Sequence, residues 1–235
     1  MDISSLGELR GISSDAHYIR IGGLTTWNDI IQTPLPRCFD ALKSAAREVG
    51  SVQIQNRGTV AGNLCNASPA ADGVPPLLVL SADVELASSA GSRRMPLADF
   101  IVGNRKTQRR TDELLTAVWV PRKLEDARST FLKLGARRYL VISISMVAVV
   151  ILVDADKVAA ARVAVGSCSV VARRLTALER ELAGASVRDG LSARVTADHL
   201  APLSPIDDVR ATAEYRRDAS LTLVRRALDA CVEAA

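Results

Sequence analysis

The run Ser143-Ile144-Ser145-Met146-Val147-Ala148-Val149-Val150-Ile151-Leu152-Val153-Asp154-Ala155-Asp156-Lys157-Val158-Ala159-Ala160-Ala161-Arg162-Val163-Ala164-Val165 is where the fold is decided. Two apolar stretches, 143–153 and 158–165, are dense in β-branched residues, and Asp154-Ala155-Asp156-Lys157 between them is turn chemistry. A third stretch of the same character lies upstream at 129–134, so the region from Ala127 predicts a three-stranded antiparallel meander. From Thr176 the period becomes helical, over 176–182, 190–200 and 211–232; in the last, Leu221, Val224, Leu228 and Val232 recur at helical spacing. Strands and helices that arrive in separate runs predict an α+β fold, a small sheet packed on helices, rather than a doubly wound parallel sheet.

Upstream, Tyr18-Ile19-Arg20-Ile21-Gly22-Gly23 alternates like a half-buried strand ending in a glycine turn, and Thr25-Thr26 precede a short helix over 27–31. Ala and Leu at helical spacing over 39–49 predict a helix closed by Gly50 in a left-handed cap. Between Gln55 and Pro76 periodicity disappears among Gly, Asn, Ser and Pro, which predicts a long ordered loop. A short helix over 77–82 and strands over 83–87, 93–97 and 114–120 follow, and Pro121 closes the region. The expected organisation is two domains: 1–124, built on a mixed or antiparallel sheet, and 125–235, the three-stranded sheet with its helices.

With 48% apolar and 24% charged residues in 235, the chain has the composition of a folded protein. Aromatic residues at 3% argue against a stacking platform for nucleic acid. The +4 charge is scattered in short pairs such as Arg93-Arg94, Arg109-Arg110, Arg173-Arg174 and Arg225-Arg226, which predict solvated faces or subunit contacts rather than a phosphate track. Cys38, Cys65, Cys168 and Cys231 are too dispersed for an iron–sulfur or metal pattern and read as reduced thiols. The start Met1-Asp2-Ile3-Ser4-Ser5 carries no export signal and the apolar stretch 141–153 is too short to span a bilayer, so the expected location is the cytoplasm. His17 and His199, without a nucleophile pattern beside them, read as surface residues.

Chemistry concentrates in Gln55-Asn56-Arg57-Gly58-Thr59-Val60-Ala61-Gly62-Asn63-Leu64-Cys65-Asn66-Ala67-Ser68-Pro69-Ala70-Ala71-Asp72. Small residues at Gly58, Ala61 and Gly62 let backbone approach a ligand, and successive amides there can form an anion nest. Thr59 and Asn63 offer side-chain donors, and Asp72 an acceptor for sugar hydroxyls. Such clusters are most often only turns. This run, however, is similar to the signature I-R-N-x-G-T-I-G-G-N-L-x-N-A-S-P-A-A-D of the FAD-binding subunits of the xanthine dehydrogenase, aldehyde oxidase and carbon monoxide dehydrogenase family. Ile19-Arg20-Ile21-Gly22-Gly23-Leu24-Thr25-Thr26, Asp112-Glu113-Leu114-Leu115-Thr116-Ala117-Val118, Phe131-Leu132-Lys133-Leu134-Gly135-Ala136-Arg137-Arg138 and Ala213-Glu214-Tyr215-Arg216-Arg217 resemble other segments of that family.

The resemblance implies FAD as cofactor, with Thr59, Val60, Ala61, Gly62 and Asn63 on its diphosphate, Asp72 on a sugar or ribityl hydroxyl, Leu115 against the nucleotide and Lys133 beside the isoalloxazine ring. Phe131 would cover a ring face or simply belong to the core, and Glu214, Tyr215 and Arg216 would serve packing and subunit contact. The implied role is electron transfer from an iron–sulfur subunit through FAD to an external acceptor (NAD, quinone or oxygen), with the molybdenum cofactor in a separate large subunit. The resembled family begins with a further strand and an A-G-G-T loop that has no counterpart after Met1. That leaves three readings: a start further upstream, a separately supplied segment, or a non-catalytic remnant subunit that does not bind FAD by itself. Ala61 stands where the family has the first glycine of a pair, and its methyl is expected to weaken binding.

Overall fold

The computed structural model describes residues 3–233; Met1, where the first expected domain begins, and Ala235, where the second ends, lie outside them. The first half contains β1 (Ile12–Ser14), β2 (Tyr18–Gly22), α1 (Trp27–Gln32), α2 (Asp40–Glu48), α3 (Val52–Arg57), α4 (Val60–Asn66) and α5 (Val74–Val79). There follow β3 (Asp83–Ser88), β4 (Gly91–Pro96), α6 (Leu97–Phe100), β5 (Ile101–Gly103), β6 (Lys106–Thr107) and β7 (Leu114–Pro121). The second half contains β8 (Arg128–Leu134), β9 (Ser145–Asp154), β10 (Lys157–Gly166), β11 (Arg173–Arg174), α7 (Thr176–Leu182) and α8 (Ala213–Glu233).

The first half is organised on an antiparallel five-stranded sheet in the order β1-β2-β7-β3-β4. Period-two alternation sets its faces. Ile19, Ile21, Val84, Leu86, Leu115 and Val120 point into the core. On the other face Tyr18 meets Trp119 edge-on at 6.1 Å, the Arg94 guanidinium lies 4.0 Å from the Trp119 ring centroid, and Glu85 accepts from the indole N–H at 3.0 Å. β5 and β6 form a separate two-stranded ribbon that hydropathy does not mark.

The expected meander is present as β8, β9 and β10, and the two residues of β11 add an edge to it. Ala155 and Asp156 both have positive φ, 44° and 67°, the two-residue hairpin geometry that matches strand twist. β9 is buried on both faces, which is why its sequence reads as an unbroken apolar run. Met146, Ala148 and Val150 join a core shared with the first sheet and helices α2, α4 and α5, whereas Val147, Val149 and Ile151 join a second core under α7 and α8.

Several expectations are corrected. The stretch 55–76 is not a long loop: it ends α3, contains α4 and enters α5. Local capping overrides its Gly and Asn content, because Thr59 caps α4, Ala67 closes it in the left-handed region at φ 47°, and Pro75 and Pro76 sit in the first turn of α5 where a missing N–H is harmless. The stretch 190–200 is two 3₁₀ turns, Leu191–Arg194 and Ala197–Leu200, separated by extended Val195 and Thr196. Gly50 does adopt the expected left-handed conformation, at φ 56°. The arginine pairs are largely used within the chain: Arg93 holds Glu113 through two bonds of 2.7 and 3.0 Å, and Arg174 holds Glu179. Of the histidines, His17 is exposed, but His199 is buried, accepting from Thr196 N–H at Nδ1 and facing Glu181 with Nε2 at 2.9 Å. The 3₁₀ turn that carries His199 folds the ring inward.

Candidate functional site

The first turn of α4 is stitched to the first turn of α1. Thr59 bridges Thr26, Val60 N–H donates to Thr25 O at 3.1 Å, and Trp27 N–H donates to Gly58 O at 3.1 Å. The Thr59 hydroxyl accepts from Gly62 N–H at 3.0 Å. Val60 and Ala61 are buried and turn their side chains into the core. Ala61 is helical, has no positive φ, and its methyl is buried among apolar neighbours. Gly62 is exposed, and a Cβ there would touch only the Thr59 hydroxyl, at 2.9 Å.

Asn63 carries the clearest chemical signal. Its Oδ1 is buried and has no hydrogen-bond partner among the described residues, a condition that costs about 1–3 kcal/mol when it is not relieved by a ligand or water. Since amide O and N are interchangeable by a flip, the group can present either an acceptor or a donor there. Gly73 lies against it: an added Cβ would be 3.0 Å from Asn63 Oδ1 and 2.4 Å from Trp27 Cη2. Glycine is thus required for the Asp72-Gly73 turn to pass between the indole and the amide. A phosphate oxygen or sugar hydroxyl reaching the exposed turn at Gly62 would find in this amide the complementary group.

Asp72 and Lys133 are brought together from 61 positions apart. Lys133 Nζ donates to Asp72 Oδ2 at 2.7 Å and to the Glu48 carbonyl at 3.3 Å, and Ser143 Oγ donates to Asp72 Oδ1 at 2.7 Å. The pair is almost fully covered, with side-chain exposures of 5% for Lys133 and 9% for Asp72. Burial pushes the Asp72 carboxyl up from its ordinary range, while Lys133 and Ser143 pull it back down. Both carboxylate oxygens are already engaged, so a sugar hydroxyl could use only their second lone pairs. Leu115 is buried in β7, where the close-packed Gly22-Gly23 turn passes over it; a Cβ on Gly23 would come 2.4 Å from the Leu115 carbonyl. Phe131 belongs to the core shared by the two halves.

Sequence reasoning missed Ser143 and the Glu48 carbonyl as partners of this pair. The available signal was a serine interrupting an apolar strand-like run, although a contact across 71 positions has no local signature. Two other carboxylates have well-defined electrostatics. Glu113 is held at about 2 by the Arg93 guanidinium and the Arg110 N–H, and Asp208 lies well below the usual carboxylate range because Arg210 and Arg216 donate to it. Among the described residues no group of three or more His, Cys, Asp or Glu side chains could hold a metal ion, and none of their helices is long and apolar enough to cross a membrane.

Comparison with known proteins locates this arrangement. The family model described as "FAD binding domain in molybdopterin dehydrogenase" matches residues 1–123, and "CO dehydrogenase flavoprotein C-terminal domain" matches residues 130–231. The putative xanthine dehydrogenase FAD-binding subunit of Escherichia coli (strain K12) is 30% identical across the whole of this chain and 82% of its own length. The glyceraldehyde dehydrogenase medium chain of Sulfolobus acidocaldarius is 28% identical over 97% of this chain and 80% of its own. A chain of the carbon monoxide dehydrogenase from Hydrogenophaga pseudoflava, solved without the Mo-pyranopterin moiety of its molybdenum cofactor, superposes with a TM-score of 0.86 at 28% identity. That superposition covers 95% of this chain and 78% of the other. With one family match spanning over half of the 235 residues and a second covering 130–231, the chain belongs to the FAD-binding subunits of the molybdopterin dehydrogenases.

Proposed function

We propose that this oxidoreductase subunit is the electron-transfer flavoprotein of a molybdenum hydroxylase, taking electrons from an iron–sulfur subunit and delivering them through FAD to an external acceptor such as NAD, a quinone or oxygen. Substrate oxidation belongs to a large subunit that carries the molybdenum cofactor. On this reading the two family matches, over 1–123 and 130–231, correspond to an FAD-binding domain and a carboxyl-terminal domain. When bound, FAD accepts electrons singly and delivers them in pairs.

The chain's own contribution is to bind and orient. Thr59 and Asn63 with their side chains, and the exposed turn at Gly62, would face the diphosphate and adjoining sugar, with Val60 and Ala61 packed beneath them. Leu115 would back the nucleotide from β7. Asp72 would hold Lys133 in place near the ring, where an ammonium favours negative charge on the cofactor. The observation that carries this reading is the Asn63 Oδ1 buried next to the exposed glycine turn: it has no hydrogen-bond partner among the described residues and wants a donor such as a nucleotide's hydroxyl.

The test is a titration of the purified chain with FAD, followed by visible absorbance and quenching of flavin fluorescence. Saturable uptake is expected, and Asn63→Leu should weaken it roughly tenfold or more while far-UV circular dichroism is unchanged. A chain that takes up no FAD, or an Asn63→Leu variant that binds as well as the parent, would refute the assignment.

A further inference from the structure

The polar groups around Asp72 do not stop at Ser143. Ser143 and Ile144 are the two residues that lead into β9, and each has its carbonyl gripped by a guanidinium from the far end of the chain. Arg210 Nη1 donates to Ser143 O at 3.1 Å, and Arg216 Nη1 donates to Ile144 O at 2.7 Å and to Ser167 O at 3.2 Å. Asp208 bridges the two cations: its Oδ2 accepts from Arg210 at 3.1 and 2.6 Å, and its Oδ1 from Arg216 at 2.6 Å. Its Oδ1 also accepts from the backbone N–H of Arg210 at 2.8 Å.

Arg216 is 1% exposed and its Nε has no partner among the described residues. Burying a guanidinium with one donor unsatisfied is unfavourable, and an apolar side chain of similar volume would serve packing better. What the arginine supplies that an apolar residue cannot is a fixed planar fork of donors. That fork is aimed at the backbone preceding β9, the segment that also carries the Ser143 hydroxyl.

We infer that Asp208, Arg210 and Arg216 form a clamp that fixes Ser143 on Asp72 and thereby holds the Lys133 ammonium in place, making these four side chains positioning residues for the Asp72–Lys133 pair. The sequence of contacts is continuous and alternates in charge: Lys133, Asp72, the Ser143 hydroxyl and carbonyl, Arg210, Asp208, Arg216. Without the clamp the Ser143 carbonyl loses its donor, the same peptide is held from its other side by the Ile144 N–H bond to Leu134 O at 2.7 Å, and the Ser143 hydroxyl is less firmly fixed on Asp72. The relevance to a flavin rests on the function proposed above; the geometry of the clamp does not.

The experiment reads Lys133 directly, in the full chain. An ammonium this covered and doubly bonded exchanges its protons slowly, so in ¹⁵N-lysine-labelled protein it gives a protected ammonium signal that exposed lysines lack. Ser143→Ala and Arg210→Met are expected to raise that exchange rate roughly tenfold or more, whereas Ser143→Thr, which keeps a hydroxyl, retains the slow signal. An Arg93→Met control acts on the other sheet and should leave it untouched. Arg210 is partly exposed, so its variant should fold; if it does not, the Ser143→Ala and Ser143→Thr pair decides. Exchange unchanged within about twofold in natively folded Ser143→Ala or Arg210→Met would overturn the inference. Parallel FAD titration keeps the two ideas apart. A parent chain that takes up no FAD sinks the flavin assignment and leaves the clamp to the ammonium signal; unchanged exchange in a chain that does bind FAD sinks the clamp alone.

Discussion

Replacing Lys133 with Met removes the charge from a buried pair while keeping a side chain of similar length. The 2.7 Å contact with Asp72 corresponds to an attraction of about 6 kcal/mol at an effective dielectric constant of roughly 20. Part of that is returned because the lysine no longer has to be desolvated, and the balance for stranding a buried carboxylate is about 3–5 kcal/mol. For a chain of this size each kcal/mol moves the midpoint by roughly 2–4 °C, so Lys133→Met should melt about 6–20 °C below the parent at neutral pH.

The pH dependence has a defined sign. Burial already raises Asp72, and deleting the lysine that pulls it down raises it further. A carboxyl whose folded pKa lies above its unfolded one destabilises the fold as pH rises through the interval between the two, and that loss is absent below the unfolded value. The deficit of Lys133→Met should accordingly shrink as the medium is acidified towards the ordinary carboxylate range. The double variant Asp72→Asn/Lys133→Met should regain much of the loss. Urea unfolding at neutral and mildly acid pH measures all three quantities. A deficit below about 1 kcal/mol, the range of exposed pairs, or one that persists unchanged in acid, would refute the argument.

Glu113→Gln should be less stable than the parent at neutral pH, with the difference vanishing as pH falls from the ordinary glutamate range towards about 2, because a depressed folded pKa contributes stability only above that window; acid unfolding curves check it. Gly73→Ala, which forces a methyl to within 2.4 Å of the Trp27 ring, should lose about 1–3 kcal/mol in chemical denaturation, whereas Gly7→Ala, with nothing within 4 Å, should be close to neutral. Burial pushes the thiols of Cys38 and Cys231 up to about 12, so an alkylating reagent at mildly alkaline pH should leave both unmodified in the native chain and label them after unfolding, as read by peptide mass.

The elements that could be read from the sequence were those whose cause is local. The β9–β10 hairpin is written in two β-branched runs and an Ala155-Asp156 turn, α8 in the spacing of Leu221, Val224 and Leu228, and the end of α2 in Gly50. α4 was hidden because Gly62, Asn63 and Asn66 are poor helix formers, and its helix depends on the Thr59 cap and on packing of Val60, Ala61 and Leu64. In the candidate site, Thr59 to Asn63 could be singled out as a contiguous motif, but their roles came from family resemblance and not from spacing. The Asp72–Lys133 pair could not be read as a pair, and Ser143, Asp208, Arg210 and Arg216 were invisible as a group, since they meet only when β8, β9 and α8 are assembled. His199 was misjudged for the same reason: burial of a polar ring requires Glu181, which no local pattern supplies.

Because successive residues of β9 belong alternately to one core and the other, that strand acts as a common keel. A cut between the two family matches would strip α2 and α5 of the strands that cover them and leave adhesive faces on both fragments. Heat or urea should accordingly dissolve the two halves in a single event. A ligand gripping the turn at Gly62 would also harden α8 against unfolding.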